Sequence, residues 1–169
     1  MLDAPFLETL RKIEARYPDR RSALLPALFL LQERDGCITP EGMQALAAHF
    51  DLSPMAVYEV ASFYTMLHLQ PVGRHHIQVC RTLPCALRGA GQVIALIGER
   101  LGITVGERTP DAAFSLQAVE CLGSCHTAPM MQVNDLYYEN LTRAMIDAIL
   151  TELKDKDASC TKRPGPDGF

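Results

Sequence analysis

Hydrophobic residues recur every three to four positions along the first seventy residues, which is the period of a helix with one buried face. This pattern predicts a first helix at residues 5–17 and a second that begins at the N-cap Ser22. Thr39 and Ser53 are each followed directly by proline, which is typical of an N-cap and the first position of a helix. We therefore expect residues 1–70 to form a helical bundle that docks to a partner.

The period changes after the break at Pro71-Val72-Gly73-Arg74, where short strands begin to alternate with helices. The order is strand, helix, strand, hairpin and helix, which predicts a thioredoxin-like α/β domain over residues 71–154. Residues 155–169 are rich in charge, proline and glycine and are predicted to form a flexible C-terminal tail. The predicted elements are strands at residues 77–79, 114–118, 130–133 and 136–138, and helices at residues 86–101 and after the N-cap Thr142.

The overall composition is that of a soluble globular protein, with 48% hydrophobic and 21% charged residues. A net charge of −4 gives no electrostatic reason to expect nucleic acid as a partner. The N-terminus lacks the apolar run of a signal peptide, and no stretch has the length of a membrane span. We therefore expect a cytoplasmic protein without membrane insertion, in which spaced cysteines favour metal or redox chemistry over disulfides.

Four of the six cysteines form two spaced pairs. Cys80 and Cys85 have four residues between them, and Cys121 and Cys125 have three. The first cysteine of each pair ends a predicted strand, and parallel neighbours end at the same edge of a sheet. We therefore expect the four thiolates to converge, as the ligands of a [2Fe–2S] cluster or a structural zinc ion do.

The residues beside these cysteines are suited to an anionic cluster. A predicted helix begins near Cys85 and would direct its positive N-terminal end toward the site. Amide donors and cations near the sulfurs help such a cluster to accept an electron. The candidate surrounding residues are Arg81, Thr82, Arg88, Gly123 and Ser124.

The spacing alone leaves other metal sites open. Structural zinc prefers tighter C-x2-C pairs, and a thioredoxin-type dithiol also needs C-x-x-C, which is absent. The plant-type ferredoxin pattern shares C-x4-C but requires a cysteine at position 88, where this chain has arginine. These comparisons favour the cluster, and a zinc-stabilised interaction module remains the alternative of another class.

Several other residues are interpreted as bystanders. Cys37 and Cys160 have no partner in a spaced pair, and His126 is interpreted as an outer or surface residue because the two histidines of a Rieske pattern are missing. His75 and His76 are expected to form the solvent-facing start of a strand. Gly89-Ala90-Gly91 is expected inside a helix, so it predicts packing and not a dinucleotide loop.

Several stretches of the chain resemble one known family, the thioredoxin-like [2Fe–2S] ferredoxins found as the 24-kDa (E-type) subunit of NADH–quinone oxidoreductase, respiratory complex I. The resemblance extends over nearly the whole chain and implies Cys80, Cys85, Cys121 and Cys125 as the cluster ligands. The stretches that carry it are VASFYTM (60–66), PVGRHHIQVC (71–80), LPCALRG (83–89), VECLGSC (119–125), APM (128–130) and NDLYYENLT (134–142).

This resemblance implies an electron-transfer subunit without catalytic residues of its own. Its cluster would exchange single electrons with the FMN of a partner flavoprotein of the F type, which would bind both FMN and NADH. The protein would lie with others on the peripheral arm of a membrane-attached bacterial complex, on the cytoplasmic side. An equivalent [2Fe–2S] protein of an NAD-dependent formate dehydrogenase or an NAD-reducing hydrogenase is the alternative within the same class.

Overall fold

The computed structural model describes the backbone of residues 2–160 and the side chains of residues 2–156. Its internal contacts divide the chain into two compact units, with the division between Pro71 and Val72. The first unit is entirely helical in its described part, and the second combines a sheet with helices. The predicted fold class, a helical segment followed by a thioredoxin-like [2Fe–2S] ferredoxin domain, is confirmed.

Four helices and a short 3₁₀ turn form the first unit. Asp3, Thr39 and Ser53 each cap a helix by accepting a hydrogen bond from a backbone N–H three residues later. Leu28 and Leu31 are fully buried at the centre of this unit. The elements are α1 (Ala4–Glu14), the 3₁₀ turn (Arg20–Ala23), α2 (Leu24–Asp35), α3 (Pro40–Phe50) and α4 (Pro54–Phe63).

The second helix begins differently from the sequence prediction. Ser22 lies within the 3₁₀ turn and does not cap a helix, because the Asp19 carboxylate accepts the N–H of Arg21 and turns the chain earlier. Helix α2 therefore starts at Leu24. Its end agrees with the pattern, since Gly36 follows it in the left-handed conformation at φ 78°.

A four-stranded sheet in the order β2-β1-β3-β4 organises the second unit. Strand β1 pairs in parallel with β2, placing Cys80 opposite Val119, and pairs antiparallel with β3 on its other side. Strands β3 and β4 form the hairpin that Asn134-Asp135 predicts. The strands are β1 (His75–Cys80), β2 (Phe114–Val119), β3 (Met131–Val133) and β4 (Leu136–Tyr138).

Helices α5 (Leu83–Leu87), α6 (Ala90–Leu101) and α7 (Arg143–Cys160) complete the unit. The single helix predicted at residues 86–101 is wrong, because the chain forms two helices separated at Gly89. Gly89 has a φ of 95°, a conformation that glycine adopts without steric cost, and it precedes α6 instead of lying inside it.

Thr142 caps α7, as predicted, by accepting the N–H of Met145 at 3.3 Å. The helix continues to Cys160, so residues 155–160 are helical where the sequence predicts the start of a tail. An ion pair of 2.7 Å between Glu152 and Lys156, four residues apart, supports this last part of the helix. The rest of the predicted tail lies outside the described residues.

Across residues 2–160, no helix has both the length and the apolar character that crossing a membrane requires.

His76 is buried, with 5% of its surface exposed, which contradicts the expectation of a solvent-facing strand start. Its Nδ1 lies 2.7 Å from the Ser115 hydroxyl, which also accepts the N–H of Gly73. The cause is the sheet order, since β1 lies between β2 and β3 and not at an edge. Its neighbour His75 is half-buried, with its ring 5.2 Å from that of Phe114.

Candidate metal centre

The parallel pairing of β1 and β2 brings the two cysteine pairs together. Cys80 is the last residue of β1, and Cys121 follows the end of β2 by two residues. Cys85 lies in the short helix α5, and Cys125 begins a 3₁₀ turn. Cys80 and Cys85 are buried, whereas Cys121 and Cys125 are exposed, and all four are free thiols.

The sulfur separations suit thiolates that share a metal. The Sγ atoms of Cys121 and Cys125 lie 3.9 Å apart. Two thiolates on one tetrahedral metal, with bonds of about 2.3 Å, lie about 3.8 Å apart. The Cys80 and Cys125 thiols both influence the Cys85 thiol electrostatically, so the two pairs lie near each other.

The pKa values of three of the thiols shift in different directions, because the thiols influence one another and differ in burial and hydrogen bonding. Burial raises the pKa of Cys80, but hydrogen bonds from the Thr82 hydroxyl and from the backbone N–H of Leu122 outweigh it, so the pKa of this thiol is lowered. Burial, followed by the neighbouring Cys80, raises the pKa of Cys85. The adjacent Cys121 raises the pKa of Cys125. Four thiolates at this distance repel one another, and a bound cation would relieve that repulsion.

Backbone amides lie near the sulfurs in two segments, the loop of Leu122 and Gly123 and the residue Met130. The N–H of Gly123 donates to Cys121 Sγ at 3.3 Å, in a loop where Gly123 takes a φ of 85°. The backbone amides of Leu122 and Met130 lower the pKa of the Cys80 and Cys85 thiols, respectively, so they lie near those sulfurs. Amide donors to sulfur are a means by which proteins stabilise anionic iron–sulfur clusters.

Two of the five predicted surrounding residues contact a cysteine sulfur. Thr82 places its hydroxyl 3.2 Å from Cys80 Sγ, and Gly123 contributes the amide described above. Ser124 is nearly buried, but its hydroxyl faces Thr127 and Glu139.

The two predicted arginines bind other groups. Arg81 pairs with Glu120, and Arg88 Nε donates to the carbonyl of Ala128 at 3.4 Å. Within residues 2–156, no described hydrogen bond joins the side chain of either arginine to a cysteine sulfur.

The structure describes the side chains of two further predicted bystander residues, Cys37 and His126. Cys37 is buried in the first unit, between α2 and α3. His126 is exposed in the turn that begins at Cys125. The side chain of Cys160 lies outside the described residues.

Glu139 belongs to the site, although no sequence pattern points to it. Its carboxylate accepts hydrogen bonds from Ser124 and Thr127, which flank Cys125. It follows a strand and lies fifteen residues from Ser124, so no local spacing connects it with the cysteines. The pairing of β3 with β4 places Glu139 beside the loop that contains Ser124 and Thr127.

The donor set fits a two-iron cluster. Among residues 2–156, no group of three or more His, Cys, Asp or Glu side chains is gathered closely enough to hold a single metal ion. A [2Fe–2S] cluster needs a different arrangement of ligands, because each of its two irons binds two thiolates. One buried cysteine pair and one exposed pair, with amides directed at the sulfurs, provide that arrangement.

A thioredoxin-like sheet with four cysteines at one edge defines a class of iron–sulfur protein. A family model described as thioredoxin-like [2Fe-2S] ferredoxin matches residues 10–154, and the chain belongs to this family. Among its relatives, an E-type NADH-quinone oxidoreductase subunit of Rhizobium meliloti is 43% identical over 87% of this chain and 88% of its own length. NADH-quinone oxidoreductase subunit 2 of Thermus thermophilus is 48% identical over 83% of this chain and 79% of its own length.

Solved structures extend the comparison to a second kind of complex. The crystal structure of an NAD+-reducing [NiFe]-hydrogenase in the air-oxidized state superimposes with a TM-score of 0.68 at 25% identity over 79% of this chain. This chain spans only 23% of that hydrogenase chain. The shared part is therefore one domain of a longer protein.

Proposed function

We propose that this chain is an electron-transfer subunit of an NADH–quinone oxidoreductase, in which a [2Fe–2S] cluster exchanges single electrons with the FMN of a partner flavoprotein that binds NADH. The observation that carries the proposal is 43% identity to an E-type subunit over 88% of that relative's length, which leaves little of either chain unmatched. The chain would lie on the peripheral arm, at the cytoplasmic side of the complex.

Cys80, Cys85, Cys121 and Cys125 would hold the cluster, which supplies a site for one electron at a time. The chain's own residues set the conditions for that transfer. The amides of Leu122, Gly123 and Met130 offset the negative charge of the sulfurs. Burial of Cys80 and Cys85 shields one side of the site from water, whereas Cys121 and Cys125 leave the other side open to a partner.

The surface beside the site is suited to docking. Leu83 and Leu87 lie at the two ends of α5, on either side of Cys85, and are 70% and 77% exposed. Large apolar side chains exposed this far are typical of interfaces. We propose that they contact the flavoprotein, which would keep the cluster near the flavin.

The hydrogenase likeness supports an alternative of the same class. The chain could serve as the equivalent [2Fe–2S] protein of an NAD-reducing hydrogenase, because the shared domain superimposes well. The sequence identity favours the oxidoreductase, since it is 25% for the hydrogenase and 43–48% for the two oxidoreductase subunits.

The cluster is tested on the purified chain by iron and sulfide analysis and by EPR of the reduced protein. We expect two irons per chain and the signal of a reduced [2Fe–2S] centre. Cys80→Ser and Cys121→Ser should each lose or grossly alter this signal, whereas Cys37→Ser should retain it. A colourless protein with stoichiometric zinc, or loss of the signal in the Cys37 variant, would contradict the ligand assignment.

The partner is tested by isolating the assembled complex through an affinity tag on this chain. We expect a flavoprotein that carries FMN to co-purify, and NADH to reduce the cluster in the complex but not in the isolated chain. Co-purification with hydrogenase subunits instead would support the alternative. Reduction of the isolated chain by NADH would contradict the proposed division of roles.

A further inference from the structure

The loop that carries Cys121 and Cys125 is fastened by the residues that end the hairpin. Four hydrogen-bonding groups between Tyr137 and Leu141 reach residues 122–129, from just after Cys121 to four residues beyond Cys125. Three of these groups are ordinary donors to carbonyl oxygens. They are the Tyr137 hydroxyl to Leu122 at 3.0 Å, the Asn140 N–H to Thr127 at 2.7 Å and the Leu141 N–H to Pro129 at 3.0 Å.

The fourth group is the Glu139 carboxylate, and it differs from the others because it is an acceptor that carries charge. The hydroxyls of Ser124 and Thr127 both donate to its Oε1, the second at 2.7 Å. These hydrogen bonds lower the pKa of Glu139, so the carboxylate is ionised at neutral pH. Hydrogen bonds to a charged acceptor are about twice as strong as neutral ones.

Ser124 and Thr127 enclose Cys125 in the sequence, so the carboxylate holds the backbone on both sides of one thiol. The two hydroxyls also lie 2.7 Å apart, and the Thr127 N–H donates to the Ser124 carbonyl at 3.2 Å. The turn is therefore closed on itself and fixed to the hairpin at one point. Loss of the acceptor would leave two hydroxyls, one of them in a nearly buried residue, without their shared partner.

We propose that Glu139 is a positioning residue that holds Cys125 in place through Ser124 and Thr127, and that its fixed negative charge lowers the reduction potential of the cluster. Reduction adds an electron to an already anionic group, so a nearby carboxylate opposes it. The part that concerns the potential rests on the proposed function, whereas the positioning of the loop does not.

Two substitutions separate the geometry from the charge. Glu139→Gln keeps an oxygen that accepts both hydroxyls but removes the charge, and Glu139→Ala removes both. Glu107→Gln is the matched control, because Glu107 also accepts a local hydrogen bond, from the N–H of Thr104, and its pKa is also lowered. Glu107 lies in the loop after α6 and contacts neither cysteine loop in the described hydrogen bonds.

The full-length chain is measured by iron content, EPR line shape and midpoint potential. We expect Glu139→Gln to retain the cluster with a higher midpoint potential, Glu139→Ala to lose cluster or broaden its signal, and Glu107→Gln to match the wild type. A fully loaded Glu139→Gln variant with an unchanged midpoint would overturn the effect on the potential.

Hydrogen exchange on the cluster-free chain tests the positioning independently. The Thr127 amide should exchange at least tenfold faster in Glu139→Ala than in the wild type, and equal rates would overturn the role of Glu139 in the loop. A wild-type chain that binds no cluster would contradict the proposed function, while the exchange rates would still decide whether Glu139 holds the loop. If Glu139→Ala fails to fold, the Glu139→Gln midpoint decides.

Discussion

Arg81 donates two hydrogen bonds to one carboxylate oxygen of Glu120, from Nε at 3.0 Å and from Nη2 at 2.8 Å. Arg81 follows Cys80 and Glu120 precedes Cys121, so the pair connects the ends of β1 and β2 where the two cysteine loops begin. Both side chains are more than 60% exposed, and such a pair contributes only about 0–1 kcal/mol to stability. Its consequence is electrostatic, because the cation next to the site is balanced by an anion.

We predict opposite effects on the cluster potential when the two partners are neutralised singly. Arg81→Gln should lower the midpoint potential, since it leaves the Glu120 charge unbalanced near the cluster, and Glu120→Gln should raise it. The double variant should return close to the wild type. EPR-monitored redox titration at low ionic strength measures all three, and equal midpoints throughout would show that neither charge reaches the cluster.

Polar substitutions on α5 should weaken the partner complex without altering the cluster. We expect Leu83→Asn and Leu87→Asn each to lower the affinity for the flavoprotein by about tenfold or more, the effect of losing about 1.4 kcal/mol of interface energy. Val105→Asn is the control, because Val105 is also an exposed apolar residue but lies in the loop after α6. Affinity is measured by titration calorimetry, and equal affinities for all three variants would place the interface elsewhere.

Gly73 should not tolerate a side chain, whereas Gly91 should. A Cβ at Gly73 would overlap the backbone of Phe114 and lie 2.6 Å from the Ser115 nitrogen, so Gly73→Ala must displace β2. We expect it to cost about 1–3 kcal/mol of unfolding free energy. Gly91 is in the first turn of α6 with open space around it, and Gly91→Ala should be neutral or stabilising by up to about 1 kcal/mol. Chemical denaturation followed by circular dichroism compares the two, and similar midpoints would contradict the crowding at Gly73.

Acid should weaken the first unit through Glu14. Burial raises the pKa of this carboxyl, but hydrogen bonds from Arg20 and His49 outweigh it, so its pKa in the folded protein lies below 4.5. The unfolded chain therefore binds the proton first as the pH falls, and the stability that Glu14 contributes above pH 4.5 disappears as the pH falls through the folded pKa.

Glu14→Gln should cost about 1–3 kcal/mol at pH 7 and much less at low pH, measured by denaturant unfolding across a pH series. Glu8→Gln is the control, because its ion pair with Lys12 is 70% exposed on both sides and should matter little at any pH. A cost for Glu14→Gln that stays constant with pH would rule out the carboxylate as the source.

Features that depend on neighbours in the chain could be predicted from the sequence. Thr39 and Ser53 cap helices because each side chain meets an N–H three residues ahead, and this geometry follows from the spacing. The convergence of Cys80 and Cys121 also follows, since two parallel neighbouring strands end at one edge. The resemblance of the motifs indicates the family without any knowledge of contacts.

Other features depend on residues far apart in the sequence. His76 is buried because β1 lies inside the sheet, and the strand order cannot be deduced from the strand itself. The sequence predicts Arg81 beside the cluster, but its side chain pairs with Glu120, thirty-nine residues away. The sequence pattern misses the break at Gly89 for a different reason. A glycine between two apolar runs is compatible with one continuous helix as well as with a turn between two helices.

The hydrogen bonds from the end of the hairpin also determine when the site can form during biosynthesis. Cys80, Cys85, Cys121 and Cys125 are all synthesised before Tyr137, Glu139 and Asn140. Until then the loop with Cys121 and Cys125 has no anchor, and ordering it would cost conformational entropy that no contact offsets. The anchored form of this loop can therefore arise only after residues 137–141 have been added to the chain.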